Sequence, residues 1–202
     1  MERSKRRHVG IVFVVSGPSG SGKTTLAGAM MEDPWMKRHL RKSVSLTTRP
    51  KRSGEREGRD YFFVTPEQFT RLRRVKKILE WTRYLGYYYA TPKEAVDAQR
   101  NRGKHLIMCL DLRGARRIKK LYPTDSVSIF VMPPSVEILQ ERIRRRCGRT
   151  SDEEIKRRLS LARTEMLCAG RLDYCVLNAD LSAGVRSLKI IIIATIKERG
   201  GR

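Results

Sequence analysis

The sequence predicts an α/β fold in which a parallel sheet is flanked by helices and interrupted by an inserted, mostly β lobe. Four short apolar segments have the composition of strands that are buried on both faces, as the strands of a parallel sheet are. They occupy residues 9–15, 106–110, 126–132 and 174–177. Helical signals separate them, and this alternation of strand and helix is typical of parallel sheets with right-handed crossovers.

Capping residues mark the expected starts of the helices. Thr91 is followed by proline and, three positions on, by glutamate, a combination that predicts a helix capped by Thr91. Ser135 is expected to open a helix that runs into Arg142. Asp180 is expected to cap the last helix of the chain.

Two regions break the alternation of strands and helices. Residues 45–89 are rich in turn formers, β formers and aromatic residues, which predicts the inserted β lobe, with one short helix starting at Thr65. Residues 142–152 are crowded with arginine, and we expect a mobile cationic loop that joins two helices. No internal repeat or low-complexity linker divides the 202 residues, so one domain is expected.

The charge of the chain predicts an anionic partner without identifying it. Lys and Arg number 44 against 21 Asp and Glu, which gives a formal net charge of +23. Such an excess attracts nucleotide phosphates, nucleic acid or an acidic membrane surface.

The longest late apolar run, residues 190–194, is too short to span a bilayer, and no signal-type apolar stretch follows the basic start. Four widely spaced cysteines suit reduced thiols, so we expect a cytoplasmic protein.

A glycine-rich motif follows the first predicted strand and predicts a site for a nucleoside triphosphate. Residues 17–24 read GPSGSGKT, which fits the pattern G-x-x-x-x-G-K-S/T. Glycines let backbone amides turn toward phosphates, and the helix that follows points its positive end at them. Lys23 is expected to reach the β- and γ-phosphates, and the Thr24 hydroxyl to bind Mg²⁺. A structural glycine turn is the alternative, but the preceding strand and the helical pattern over residues 25–31 favour the phosphate site.

A second group of polar residues lies in the inserted lobe. Residues 45–55 and 58–61 gather hydroxyls, arginines and a tyrosine around turns. Arginine offers a planar fork of donors to phosphate oxygens, and tyrosine adds a neutral donor. A solvated basic loop explains the same residues equally well, so both interpretations stay open on composition alone.

Taken together, the motifs resemble those of guanylate kinase. The resemblance spans residues 11–181 and rests on the segments SGPSGSGKTTL, TTRPKRSGE, GRDYFFV, ILEW, YYYAT, LDLRG, PPSVEIL and VLNADL, which follow in that family's order. It implies a P-loop NTPase-type core at residues 1–44, 93–141 and 153–202, a GMP-binding lobe at 45–92 and a lid at 142–152. The implied reaction moves a phosphoryl group from ATP to GMP, or to dGMP, with Mg²⁺ as cofactor.

The resemblance also assigns roles to individual residues. The residues implied in ATP binding are Gly17, Pro18, Ser19, Gly20, Ser21, Gly22, Lys23, Thr24, Thr25 and, on the adenine side, Asn178. Those implied in GMP binding are Ser45, Arg49, Arg52, Tyr61, Glu80, Tyr89, Thr91 and Asp111. Arg49, Arg52, Tyr61 and Tyr89 would hold the phosphate, while Ser45, Glu80 and Thr91 would read the guanine. The residues expected to act in transfer are Lys23, Arg49, Arg142, Arg146 and Arg158.

Two positions depart from the family's pattern. Cys109 stands where an acid is usual, two residues before Asp111, and a thiol cannot supply a carboxylate. Ala90 stands where glycine is common; if that position needs a positive φ, alanine would strain it by about 1 kcal/mol. The alternatives to a guanylate kinase are a kinase-like module that binds protein or nucleic acid without turnover, and a P-loop kinase for another phosphorylated acceptor. Nucleic-acid binding is also open as an additional activity.

Overall fold

The computed structural model describes residues 9–84, 86–146 and 151–200, except for the side chain of Arg146. A five-stranded sheet forms the core, and all its neighbouring strands run parallel in the order β2-β7-β1-β8-β9. These strands are β1 (Val12–Ser16), β2 (Leu40–Lys42), β7 (His105–Cys109), β8 (Ser126–Met132) and β9 (Tyr174–Leu177). The four predicted strands are therefore confirmed, and the predicted α/β fold with them.

A second sheet holds the residues of the inserted region. Its four strands have the order β4-β3-β6-β5, with β3 and β4 parallel and the other neighbours antiparallel. They are β3 (Ser45–Thr47), β4 (Tyr61–Phe63), β5 (Ile78–Tyr84) and β6 (Tyr87–Pro92). The expected short helix is α3 (Pro66–Arg74), and Thr65 caps it in a capping box with Gln68.

Seven further helices complete the described secondary structure, together with a 3-10 turn at Ala169–Arg171. They are α1 (Lys23–Met30), α2 (Pro34–His39), α4 (Lys93–Asn101), α5 (Leu112–Leu121), α6 (Val136–Arg146), α7 (Asp152–Leu167) and α8 (Leu181–Gly200). Ser135 and Asp180 accept amide hydrogens at the starts of α6 and α8, as predicted. Among the described helices, none is both long and apolar enough to cross a membrane.

The central strand β1 is buried on both faces because helices cover each side of the sheet. Phe13 and Val15 face Leu26 and Met30 of α1 and the apolar side of α8. Their neighbours on β1 face the opposite side, where α4 and α5 pack. The carboxyl end of β1 therefore enters the phosphate motif from a fixed position.

Two predictions about local structure were wrong. Thr91 does not cap α4: it belongs to β6, and its hydroxyl donates to Glu80 instead. The arginine-rich loop does not begin at Arg142, because α6 continues to Arg146; residues 147–150, including Cys147, lie outside the described part. The conditional strain at Ala90 does not arise, since Lys76 is the only non-glycine residue with a positive φ in the described part.

A cluster of hydrogen bonds around Asp173, at the edge of the first sheet, generates a prediction about stability. The Asp173 carboxylate accepts from the Ser128 amide (2.8 Å), the Ser128 hydroxyl (2.7 Å) and Lys119 Nζ (3.0 Å), and so fixes the start of β9 to β8. Burial acts against ionisation, but these donors outweigh it and lower the pKa of Asp173.

We expect Asp173→Asn to lower the free energy of unfolding by about 1–2 kcal/mol at pH 7, because charge-assisted bonds are lost. A carboxylate whose pKa is lowered by folding contributes its stability above the unfolded-state pKa and loses it as the pH falls through the folded-state pKa. The difference in the free energy of unfolding between variant and parent, measured by urea unfolding, should therefore shrink toward pH 3. The exposed Glu153→Gln serves as control, and equal stability of Asp173→Asn and parent at pH 7 would contradict the prediction.

Candidate active site

The segment between β1 and α1 forms a tight loop that is closed by its own hydrogen bonds. Gly22, the residue before α1, has a φ of +95°, a conformation that a side chain would strain. The Ser21 amide donates to the Pro18 carbonyl at 3.1 Å and closes a tight turn within the loop. Lys23 Nζ donates to the carbonyls of Gly17 and Pro18 at 2.6 and 2.9 Å. The loop therefore places a lysine and a helix N-terminus at one point, where both favour an anion.

Asn178 holds this loop from the far edge of the sheet. It follows β9, and its amide Nδ2 donates to the Ser21 carbonyl at 2.7 Å. A Cβ on Gly22 would stand 2.2 Å from the same Nδ2, so the amide lies directly against the loop. The structure therefore brings Asn178, predicted as an adenine-side contact, onto the backbone of the phosphate loop.

Arg142 of α6 joins the same arrangement. Its Nη2 donates to the Asn178 carbonyl at 3.0 Å, while Nη1 is buried and has no hydrogen-bond partner among the described residues. Leu139 and Ile143, on the same helix, lie against Gly20 of the loop. One cationic donor thus remains unsatisfied beside the loop, which is unusual for a buried polar group.

The second sheet presents a cluster of arginine and tyrosine. Arg49 follows β3 and is buried; it donates to Glu55 at 2.6 Å and to the Pro50 carbonyl at 2.7 Å. Its guanidinium lies 5.5 Å from the centre of the Tyr61 ring, and the Tyr61 and Tyr89 rings meet edge to face at 6.0 Å. The structure therefore brings three of the four predicted phosphate-binding residues together.

Glu55 is a partner that the sequence did not single out as functional. Its second oxygen accepts from the Arg52 backbone amide at 2.9 Å. One carboxylate therefore holds both the Arg49 side chain and the backbone at Arg52. Burial opposes ionisation of Glu55, but the bonds from Arg49 and Arg52 outweigh it and lower the pKa. The Arg52 side chain is exposed, and Ser45 on β3 is half-buried opposite Tyr61.

Glu80 is a buried carboxylate on β5. The residue is only 6% exposed. Its Oε1 accepts a hydrogen bond from the Thr91 hydroxyl at 2.5 Å. Burial raises the pKa of Glu80 to about 7; the Thr91 bond acts in the opposite direction, and the nearby Asp111 carboxylate adds to the rise. Hydrogen-bond donors on a ligand would stabilise the ionised form of this buried carboxyl group.

Asp111 and Cys109 follow β7 at the carboxyl edge of the first sheet. Asp111 caps α5 by accepting the Gly114 amide at 2.7 Å. The Cys109 Sγ donates to the Lys23 carbonyl at 3.8 Å, and burial raises the pKa of this thiol against the opposing influence of Lys23 and Lys42. Cys109 is therefore a neutral thiol packed against the start of α1.

Glu165 is an acid near the loop that sequence reasoning missed. It lies on α7, and burial raises its pKa; the charge of Lys23 acts to lower the pKa, and that of Asp111 to raise it. Glu165 is therefore coupled electrostatically to both Lys23 and Asp111. No motif in the sequence links residue 165 with the loop some 140 residues earlier.

The remaining predicted site residues lie on α1, α6 and α7. Thr24 and Thr25 are exposed in the first turn of α1, beside the loop. Arg158 pairs with Glu154 on its own helix, and its guanidinium lies 5.9 Å from the centre of the Tyr84 ring of β5. α6 ends at Arg146, whose side chain lies outside the described part. Within that part, no group of three or more His, Cys, Asp or Glu residues could hold a metal ion.

A buried strand, a glycine-rich loop and a helix that starts at a loop lysine define a P-loop nucleotide-binding protein. Comparison with known proteins is more specific: the family model for guanylate kinase matches residues 10–195. A guanylate kinase of Caldanaerobacter subterraneus subsp. tengcongensis is 39% identical over 185 residues, which cover 92% of this chain and 87% of the relative. A guanylate kinase of Synechocystis is 41% identical, with coverage of 91% and 93%.

A solved structure agrees with these relatives. The crystal structure of guanylate kinase from Anaplasma phagocytophilum matches with a TM-score of 0.74 and 31% identity, covering 93% of this chain and 87% of that one. This chain belongs to the guanylate kinase family.

The position of Asn178 generates a prediction that separates two roles. If its amide supports the loop through Ser21, Asn178→Ala should weaken the binding of any nucleoside triphosphate, because the phosphate-binding backbone is then less well ordered. We expect the dissociation constants of ATP and GTP to rise by similar factors of about five, since one supporting bond is worth about 1 kcal/mol. Direct binding measurements with both nucleotides test this, with the exposed Asn101→Ala as control. A loss confined to ATP would instead indicate an adenine contact.

Proposed function

We propose that this chain is an ATP-dependent guanylate kinase, which transfers the γ-phosphoryl group of ATP to GMP and releases ADP and GDP. Membership of the family and the intact phosphate loop support this. The observation that carries the choice of acceptor is the buried Glu80 carboxylate, bonded to Thr91 in a lobe separate from the loop. A binding module without turnover and a kinase for a different acceptor are less favoured, because neither needs this pairing of loop and buried acid.

The donor side is proposed to form around the phosphate loop, in a core of residues 1–44, 93–141 and 153–202. Lys23 now donates to two loop carbonyls, and phosphate oxygens would replace them as stronger, charged acceptors. The loop amides and the N-terminus of α1 would surround the remaining phosphate oxygens.

Mg²⁺ fits this site through the exposed Thr24 hydroxyl, which lies next to Lys23. Mg²⁺ keeps several waters and is usually held by one or two protein oxygens plus substrate phosphates, so a larger acidic cluster is not required. When bound, the ion would neutralise phosphate charge. Thr24 would fix its position relative to Lys23.

The acceptor phosphate is proposed to bind at Arg49, Arg52, Tyr61 and Tyr89, in a lobe of residues 45–92. Glu55 holds the Arg49 guanidinium in place before substrate arrives, so little side-chain freedom is lost on binding. Tyr61 and Tyr89 add neutral donors that orient the phosphate without further charge. The exposed Arg52 would complete the group by moving toward the phosphate.

The guanine is proposed to be read by Glu80, with Ser45 and Thr91 beside it. Guanine presents donors at N1 and N2, whereas adenine has an acceptor at N1 and no amine at C2. A carboxylate satisfies the first pattern and is left unpaired by the second, which is the situation that gives large discrimination between substrates.

Transfer is proposed to depend on fixed positive charge around the moving phosphoryl group. Phosphoryl transfer needs alignment of two nucleotides and stabilisation of charge on the equatorial oxygens. Arg142 offers its buried Nη1, which has no hydrogen-bond partner within the described part of the chain. Arg158 lies against Tyr84, between α7 and the second sheet. Arg146, at the end of α6, is proposed to act with them in the lid of residues 142–152.

Glu80→Gln tests the choice of acceptor. We expect kcat/KM for GMP to fall at least ten-fold while the KM for ATP stays within two-fold, because glutamine keeps the size but has one acceptor oxygen. Steady-state kinetics with each substrate varied measure both values. Glu67→Gln, exposed on α3, is the control. Equal losses for GMP and ATP would indicate a structural role for Glu80.

The pH dependence follows from the raised pKa of Glu80, about 7. Only the ionised carboxylate accepts both guanine donors, so the ratio of parent to Glu80→Gln in kcat/KM for GMP should fall about ten-fold between pH 8 and pH 6.

The stability of the fold depends on pH in the opposite direction, since a raised acid pKa favours the fold at low pH and this contribution is lost as the pH rises through 7. Glu80→Gln should therefore gain thermal stability over the parent at pH 8 but not at pH 4. A pH-independent ratio would contradict this account.

A further inference from the structure

Glu80 lies against a glycine on a neighbouring helix. Its Oε1 is fixed by Thr91, and its Oε2 faces Gly114 of α5, the helix that packs against β5. A Cβ built on Gly114 would stand 2.8 Å from that Oε2, 3.2 Å from Leu110 Cβ and 3.3 Å from Asp111 Oδ1. A carbon and an oxygen that are not bonded do not approach to 2.8 Å without displacement, so a side chain at position 114 would force one group to move.

The helix is the part that cannot move easily. The Gly114 amide donates to its cap Asp111 at 2.7 Å, and Ala115 and Ile118 on the same helix are fully buried against the sheet. The carboxylate of Glu80 is the end of a flexible side chain, and turning it costs far less than shifting a packed helix. A single methyl group at position 114, as in alanine, would therefore displace the Glu80 carboxylate first, while Leu110 and Asp111 need give only by a few tenths of an ångström.

The backbone gives no reason for glycine at this position. Gly114 lies within α5 and is not among the glycines with positive φ. Glycine inside a helix is less favourable than alanine by about 0.5–1 kcal/mol. Residues that oppose local stability in this way are expected where a site requires them.

We propose that Gly114 is a specificity-determining residue, because its missing side chain leaves the space in which the Glu80 carboxylate is held toward the purine base. This inference rests on the proposed function, in which Glu80 reads guanine. Gly114 touches no substrate in this account; it acts by positioning Glu80.

Gly114→Ala tests the proposal, with Gly28→Ala as the matched control. Gly28 is also a helical glycine, and a Cβ there meets nothing within 4 Å. We expect Gly114→Ala to lower kcat/KM for GMP ten-fold or more and to lower the preference for GMP over AMP. The KM for ATP should stay within two-fold, and the melting temperature should equal or exceed that of the parent. Gly28→Ala should leave the three kinetic quantities unchanged within two-fold, and its melting temperature should likewise equal or exceed that of the parent, because alanine is the better helix former.

A double-mutant cycle with Glu80→Ala distinguishes positioning from a structural effect. Without the carboxylate there is nothing to displace. Adding Gly114→Ala to Glu80→Ala should therefore lower kcat/KM for GMP by less than a further two-fold. An undiminished loss in the Glu80→Ala background, or a lowered melting temperature, overturns the proposal. So does full activity of Gly114→Ala when Glu80→Gln is impaired. Absence of GMP turnover in the parent, or an active Glu80→Gln, would instead contradict the proposed function itself.

Discussion

The hydrogen bond from the Asn178 amide to the Ser21 carbonyl ties the phosphate loop to the rest of the core. The loop leaves the centre of the sheet after β1, whereas Asn178 follows the edge strand β9, so this bond fixes the loop across the carboxyl edge of the sheet. Arg142 donates to the same asparagine's carbonyl and thereby joins α6 to it. The proposed donor site and the start of the proposed lid therefore share one anchor.

The proposed acceptor lobe follows a different principle, in which charges are buried before substrate arrives. Arg49 is neutralised by Glu55, and this pair keeps the guanidinium oriented. Within the described part of the chain, only the Thr91 hydroxyl donates to Glu80, so burial outweighs this bond and raises the pKa of Glu80. A base that supplies two donors would offset the cost of burying the ionised carboxylate. A base that supplies none would increase that cost. The same desolvation that destabilises the free protein thus becomes selectivity for one acceptor.

The sequence predicted those features that local physics determines. Continuous apolar runs identified β1, β7, β8 and β9, and the phosphate motif was recognisable because a strand and a helix flank it. Thr91 failed as a cap because it continues β6, so that Pro92 is the residue that precedes α4, and the Thr91 hydroxyl is directed to Glu80. Helix α2 was missed although Asp33 and Pro34 form a cap-and-proline start. Strand β2 was missed because one leucine followed by two cationic residues carries no strand pattern.

The candidate site was less predictable where distant segments meet. The support of the loop by Asn178, the charge of Glu165 near Lys23 and the space that Gly114 leaves for Glu80 all join residues more than thirty positions apart. Neither periodicity nor local spacing encodes such contacts, because the topology of the sheets creates them.

The central claim is that a buried carboxylate selects guanine as the base of the phosphoryl acceptor. The most direct measurement is ADP release from the unmodified protein with ATP, Mg²⁺ and, in turn, GMP, dGMP, AMP, CMP and UMP. We expect turnover with GMP, and with dGMP because it carries the same base, at a kcat/KM at least about 10³-fold above that for AMP. Comparable turnover of AMP and GMP, or no ADP release with any acceptor, would contradict the account.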